Sequence, residues 1–166
     1  MMKLISNNIE LELLSGEDSI ISQIVEDSDD LFNMSEVWLY PKGTPTQMIF
    51  AIKKDGKLIG ELKLRNIRWF NRKAELSIIL KKEEQSRGTG TEIVKKIIEY
   101  AFGKMNLHRL EAEVIETNSA SIKLIEKFGF KKEGVLREAK FQNGKFIDIY
   151  RYGLLRSEYK KQGNEK

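Results

Sequence analysis

The sequence predicts a mixed α/β domain built on a single sheet, and three observations carry that reading. Alternating apolar runs are joined at Asp55-Gly56 and again at Asn143-Gly144, dipeptides that close two-residue hairpins. A glycine turn, Gln85-Ser86-Arg87-Gly88-Thr89-Gly90, separates an apolar strand from an amphipathic helix. Another alternating run, Arg109 to Ile115, follows that helix, and strand, crossover helix and strand in succession make a parallel pair.

Taken in order, Ile9 to Leu14 alternates apolar and acidic residues as a strand with one buried face. Ser15 to Asp18 supplies capping chemistry for a helix through Ile20, Ile21, Ile24 and Val25. The acids from Glu26 to Asp30 end that helix or begin a second, around Leu31 to Val37, and Pro41, Gly43 and Pro45 stop any continuation. Met48 to Lys53, Leu58 to Ile67 and Ala74 to Leu80 then read as a meander, with Trp69 to Lys73 as its second turn. After the glycine turn, Ile93, Val94, Ile97, Ile98, Ala101, Phe102 and Met105 form one apolar stripe, with Gly103 as the stop. Ser119 to Phe128 reads as a second helix, capped by Asn118 and ended by Gly129. Val135 to Phe141 and Lys145 to Leu155 are the last strands, and residues from about Ser157 onward form a polar tail.

Composition bounds the function. With 166 residues, 40% apolar and 33% charged, the chain suits one domain, assigned to residues 1–156. The absence of cysteine excludes disulfides, thiolate metal ligands and a cysteine nucleophile, and a lone His108 argues against a metal site or a Ser-His pair. No apolar run has the length of a membrane span or signal peptide, so a cytoplasmic setting is expected. Between Met1 and Pro41 one lysine faces nine acids, so this quarter carries −8, while the remaining 28 basic and 16 acidic residues leave the rest at +12. Such asymmetry suits a cationic ligand on one surface and an anionic one on another, although runs of this kind are also ordinary solvated faces. Basic residues interleaved with acids speak against nucleic acid.

The turn is a site for an anion, most naturally a pyrophosphate, because two glycines one residue apart aim backbone N–H groups at one point beside a helix N-terminus. A nucleoside-triphosphate loop requires Lys-Ser or Lys-Thr after its last glycine, and Gly90 is followed by Thr91 and Glu92. A dinucleotide fingerprint requires a third glycine where Ile93 stands. The remaining pattern, Gln-x-x-Gly-x-Gly between strand and helix, resembles the acetyl-CoA loop of the GCN5-related N-acetyltransferase (GNAT) superfamily. The resemblance continues through Asn118-Ser119-Ala120-Ser121, Glu126-Lys127-Phe128-Gly129-Phe130, Glu133-Gly134-Val135-Leu136-Arg137, Asn143-Gly144, Asp148 and Tyr150. It covers roughly residues 58–159 and is similar to the branch holding ribosomal-protein N-terminal and polyamine acetyltransferases.

The resemblance implies a central, mostly antiparallel sheet with one parallel pair splayed at the acetyl-CoA site, flanked by helices. It implies pyrophosphate binding by Gln85, Ser86, Arg87, Gly88, Thr89, Gly90 and Thr91, pantetheine contacts along Ile78, Ile79 and Leu80, and further contacts from Asn118 and Ser121. A strand N–H near Ile79 would stabilise the oxyanion. The family's usual tyrosine acid falls at Ile125, which leaves Ser121, water or Tyr150 to protonate the departing thiolate. Glu75 is the first candidate base and Glu61 the second. Lys123, Lys127 and Lys131, four residues apart, make a solvated stripe or meet the CoA 3′-phosphate. His108 is read as structural, and Trp38, Trp69 and Phe70 as core rather than as the floor of an acceptor pocket. Direct transfer in a ternary complex is expected, without metal, to a protein N-terminal amine first and a polyamine second, by a possible homodimer. A CoA-binding module without transfer activity is the alternative of another class.

Overall fold

A computed structural model describes residues 3–6, 9–12 and 43–163. Contacts divide the chain into two compact units, Met1–Gly43 and Thr44–Lys166. In the first unit, β1 (Lys3–Ser6) pairs antiparallel with β2 (Ile9–Glu12), so the predicted strand forms and gains a partner that alternation alone does not announce. The expected helices through Ile20 and around Leu31 to Val37, the acidic patch between them and Trp38 lie outside the described residues.

The second unit holds a six-stranded sheet in the order β3-β4-β5-β6-β8-β7. Its strands are β3 (Met48–Lys54), β4 (Lys57–Arg68), β5 (Lys73–Leu80), β6 (Arg109–Ile115), β7 (Lys131–Gln142) and β8 (Lys145–Leu155). Both hairpins close where the dipeptides place them. Asp55 and Gly56 take φ of 49° and 76°, Asn143 and Gly144 51° and 78°, so both central residues of each turn are left-handed, as the twist of the flanking strands requires. β7 begins at Lys131, four residues before the expected start. As the sheet's edge strand it is exposed along most of its length and bulged in two places, so its first residues show no alternation to read.

Helix α1 (Thr89–Gly103) follows β5, and its predicted stripe faces the sheet: Val94, Ile98 and Ala101 are fully buried, with Ile97 and Phe102 nearly so. Gly103 is the last helical residue, but the left-handed turn falls at Asn106 (φ 54°), and the Leu107 N–H donates back to Ala101 O at 2.9 Å. Helix α2 (Ser119–Lys127) adds Ile125 to the same core and turns out at Gly129 (φ 83°). The polar tail takes up a helix, α3 (Arg156–Gly163), through which Tyr159 reaches Phe102 at 5.9 Å between ring centroids. Each large aliphatic side chain buried this way contributes about 1.5–3 kcal/mol, which makes the layer between α1, α2 and the sheet the main source of cohesion. Phe70, expected in the core, is 75% exposed, because the turn between β4 and β5 carries it at its tip. Trp69 does pack on the core, and its indole N–H donates to Pro45 O at 2.7 Å.

Alternate residues on β4, β5, β6, β7 and β8 face away from these two helices, and there charges pair strand to strand. Arg65 Nε donates to Glu75 at 2.9 Å, Lys73 to Glu111 at 3.2 Å, Arg109 Nη1 to Glu133 at 2.8 Å and Arg151 to Glu113 at 3.0 Å. Gly153 makes room for this layer, since a Cβ there would meet Glu133 Oε1 and both terminal nitrogens of Arg109. Burial works to raise the Glu111 carboxyl, but hydrogen bonds and charge from Arg109 and Lys73 leave it below the ordinary value; the Arg109 hydrogen bond lowers Glu133 likewise. Depressed folded-state values contribute stability that is complete above the unfolded value and lost as pH falls through the folded ones. The melting temperature is therefore expected to fall as pH drops below about 4.5, the ordinary glutamate value, and Arg109→Gln to flatten that fall.

Candidate functional site

The parallel pairing of β5 with β6 lasts only from Lys73–Arg109 to Glu75–Glu111, whereas β5 stays on β4 as far as Leu80. The strands splay after Glu75 because β5 follows β4, and Gly60 permits that. It stands opposite Leu80, and a Cβ on it would collide with the Ile79 carbonyl oxygen and lie 3.2 Å from Leu80 Cα. The bond from Lys81 N–H to Ile59 O at 2.8 Å then closes the strand end. Gly60 carries no motif, and only its place inside an apolar strand marks it as a point of close backbone approach.

The chain next makes a 3₁₀ turn over Lys82–Glu84 and enters the glycine loop. Gln85 Nε2 donates to Leu80 O at 2.9 Å, tying the loop to the strand end. Glu84 accepts from Lys54 at 3.0 Å and from Thr89 Oγ1 at 3.4 Å, which ties the loop to the β3–β4 hairpin and to the start of α1. The Lys54 hydrogen bond leads in holding the Glu84 carboxyl below its ordinary range, with the charges of Lys54 and Arg87 adding to it against a raising effect of burial. The two glycines have different tasks. Gly88 is the N-cap at φ 84°, a conformation that disfavours side chains, with open space where a Cβ would stand. A Cβ on Gly90 would lie 3.3 Å from Leu124 Cδ2, so that glycine sets how closely α1 and α2 approach. The first amides of α1 lack acceptors within the helix and carry the positive end of its dipole, the chemistry of a phosphate site.

A cleft of about 380 Å³ opens here, lined by Ile78, Leu80, Gln85, Ser86, Gly88, Gly90, Thr91 and Ser121 from the predicted set, and by Ala120, Lys123, Leu124 and Lys127. Arg87 and Thr89 instead line a larger hollow of about 740 Å³, between α1 and strands β3 and β4, which Gly88 also borders. Ile79 and Asn118 line neither. Ile79 is 67% exposed on the far face of β5, and the Asn118 side chain accepts from the Ser121 N–H at 3.1 Å, capping α2 and fixing Ser121 against the cleft. Ile125, the departure from the tyrosine pattern, is 5% exposed within the core, so this position serves packing. Tyr150 lies under Lys132, whose Nζ is 3.1 Å from the ring centroid, and the Tyr152 hydroxyl donates to Glu126 at 3.0 Å.

Neither candidate base lines the cleft. Glu75 is 7% exposed where the splay begins, its Oε1 bonded by Arg65 and its Oε2 accepting from Asn66 Nδ2 at 3.0 Å. Glu61 lies directly opposite Ile79 and pairs with Lys63 at 2.8 Å. His108 is exposed at the entry to β6, its N–H donating to Arg72 O at 2.6 Å. Among the described residues no cluster of His, Asp or Glu can hold a metal ion, and no helix is long and apolar enough to cross a membrane.

Residues 9–150 match an acetyltransferase (GNAT) domain. The chain is 35% identical over 118 residues to an uncharacterized N-acetyltransferase, p20, of Bacillus licheniformis, covering 71% of this chain and 66% of that protein. It is 35% identical over 102 residues to a spermidine N(1)-acetyltransferase of Vibrio cholerae, with coverage of 61% and 59%. It is also 35% identical over 105 residues to the putative ribosomal N-acetyltransferase YdaF of Bacillus subtilis, with coverage of 63% and 57%. The matches thus span less than two thirds of each relative's length. A crystal structure of spermidine N-acetyltransferase from Vibrio cholerae in complex with CoA and spermine superposes with a TM-score of 0.65 and 32% identity, over 69% of this chain and 68% of that one.

Gly60→Ala is expected to cost about 1–3 kcal/mol by overpacking backbone against backbone, read in thermal or urea melts. Gly103→Ala, where a Cβ meets nothing within 4 Å, is the control and is expected to be neutral or slightly stabilising.

Proposed function

The chain belongs to the GNAT acetyltransferase family, and from that premise we propose that it acetylates the primary amine of a polyamine with acetyl-CoA as donor. One observation carries the reading: the splayed end of β5, the left-handed turn at Gly88 and the N-terminus of α1 border one cleft that α2 closes. The close fit of Gly90 under Leu124 and the left-handed Gly88 suit a backbone cradle for pyrophosphate. Acetyl-CoA supplies the activated acetyl group. Gln85 to Thr91 hold its pyrophosphate, Ile78 to Leu80 align its pantetheine arm, and Asn118 acts through the cap that seats Ser121.

The amine attacks directly, since no cysteine is present to carry an acyl group. Glu75, held in place by hydrogen bonds from Arg65 and Asn66, takes the amine proton through water, with Glu61 as second candidate, and Ser121 or water returns a proton to the thiolate. Much of the acceleration then comes from holding two substrates in register, which tolerates a core isoleucine at position 125.

A polyamine is favoured over a protein N-terminus by the nine acids of the first 41 residues, which draw a polycation, and by likeness to spermidine acetyltransferases. The equal identity to the putative ribosomal N-acetyltransferase keeps the N-terminal amine as second acceptor. A homodimer and a cytoplasmic setting belong to the same proposal. CoA-thiol release is expected with spermidine and to be weak or absent with peptides bearing N-terminal Ala or Ser. Release with the peptides alone reverses the order of acceptors, and tight acetyl-CoA binding without release from any amine identifies a binding module. Gly88→Val is expected to weaken acetyl-CoA binding at least about tenfold, because a β-branched residue resists positive φ; unchanged affinity in a folded variant overturns the assigned loop.

A further inference from the structure

The structure divides the lysine stripe. Lys131 lies beyond α2 at the start of β7, and its Nζ pairs with Glu158 at 2.5 Å. Lys123 and Lys127 line the cleft, as do Ser121 and Leu124, and neither lysine has an ion-pair partner among the described residues. They lie one turn apart, so their ammonium groups can converge on one ligand group. Lys127 is six residues beyond Ser121, roughly 9 Å along the helix axis, which places it toward the opposite end of the α2 wall with Lys123 between the two.

Resting on the acetyl-CoA reading, we propose that Lys123 and Lys127 form a phosphomonoester subsite that receives the 3′-phosphate of CoA. CoA presents two kinds of anion. Its pyrophosphate lies within the molecule, esterified at both ends, and its oxygens suit the converging amides of the glycine turn and α1. Its 3′-phosphate is a terminal monoester close to doubly charged at neutral pH, swinging on the ribose. A dianion of uncertain orientation is matched by compact ammonium groups on flexible stems rather than by a preset backbone nest. With the loop taking the pyrophosphate, the two unpaired lysines are the cationic part of the cleft left for the remaining anion. Lys127 also sits at the end of α2 away from Ser121, as the nucleotide requires if Ser121 borders the thioester.

Calorimetric titration of the whole chain with CoA and with 3′-dephospho-CoA tests this. The unaltered chain is expected to prefer CoA by about tenfold or more, as a charge-assisted contact gives. The double variant Lys123→Ala/Lys127→Ala should bind both to within about twofold, while Lys131→Ala keeps the preference. Lys127→Glu should weaken CoA more than dephospho-CoA, a ratio that a general loss of structure does not produce. Equal binding of the two ligands by the unaltered chain, or a preference retained by the double variant, overturns the subsite and leaves the acetyl-CoA reading standing. Binding of neither ligand overturns that reading and the subsite together.

Discussion

Backbone meets backbone where Gly60 passes under Ile79 and Leu80, and the arrangement of the site depends on that contact. With no Cβ at this point, β5 holds its pairing with β4 to its last residue and parts from β6 after three pairs. A parallel pair normally buries its hydrogen-bonding groups along its whole length. Here the separation leaves the end of β5 bordering a cleft, while the glycine loop starts a few residues later from a strand end fixed by Gln85 and Lys81. Strand, loop and helix N-terminus therefore share one origin.

The sheet assigns its faces to different work. Toward α1 and α2 it presents Leu62, Leu64, Leu76, Leu110 and Leu154, all buried, so the loop and α2 are mounted on the most cohesive part of the molecule. The other face of β4, β5, β6, β7 and β8 carries arginine, lysine and glutamate, paired directly across strands at Arg65–Glu75 and Arg151–Glu113, diagonally at Lys73–Glu111, and across β8 at Arg109–Glu133. Half-exposed pairs of this kind add little stability one by one; Lys73, Glu111, Arg109 and Glu133 link in a chain, and Arg65–Glu75 and Arg151–Glu113 flank it as separate pairs. Glu75 stands on this face at the start of the splay, so the carboxylate with a proposed chemical task is also one that Arg65 and Asn66 orient.

Much of this was legible before any coordinates. The hairpins, the parallel pair, the helix stripe and the loop follow from strong local signals: a left-handed dipeptide, a period of 3.6, glycines at fixed spacing. Eight predicted cofactor-binding residues, Ser121 among them, line the cleft. What escaped was tertiary. Gly60 looks like any strand glycine until its partner's carbonyl is placed over it. Phe70 looks like core until the turn turns it outward, and the start of β7 lacks alternation because this edge strand is exposed on both faces there. Lys123 and Lys127 could not be told from Lys131 by spacing, since Glu158, which occupies Lys131, lies 27 residues further along.

Glu84 is an acid placed beside the proposed anion site, and the Lys54 hydrogen bond offsets its charge there. Lys54 is half exposed, so dissolved ions screen this clamp as readily as they screen the attraction between loop and phosphate. Ionic strength thus reaches the loop twice, first through the charge that the ligand feels and again through the tether that keeps the loop in shape. A hairpin end that lies outside the glycine loop thereby takes part in how that loop responds to the salt around it.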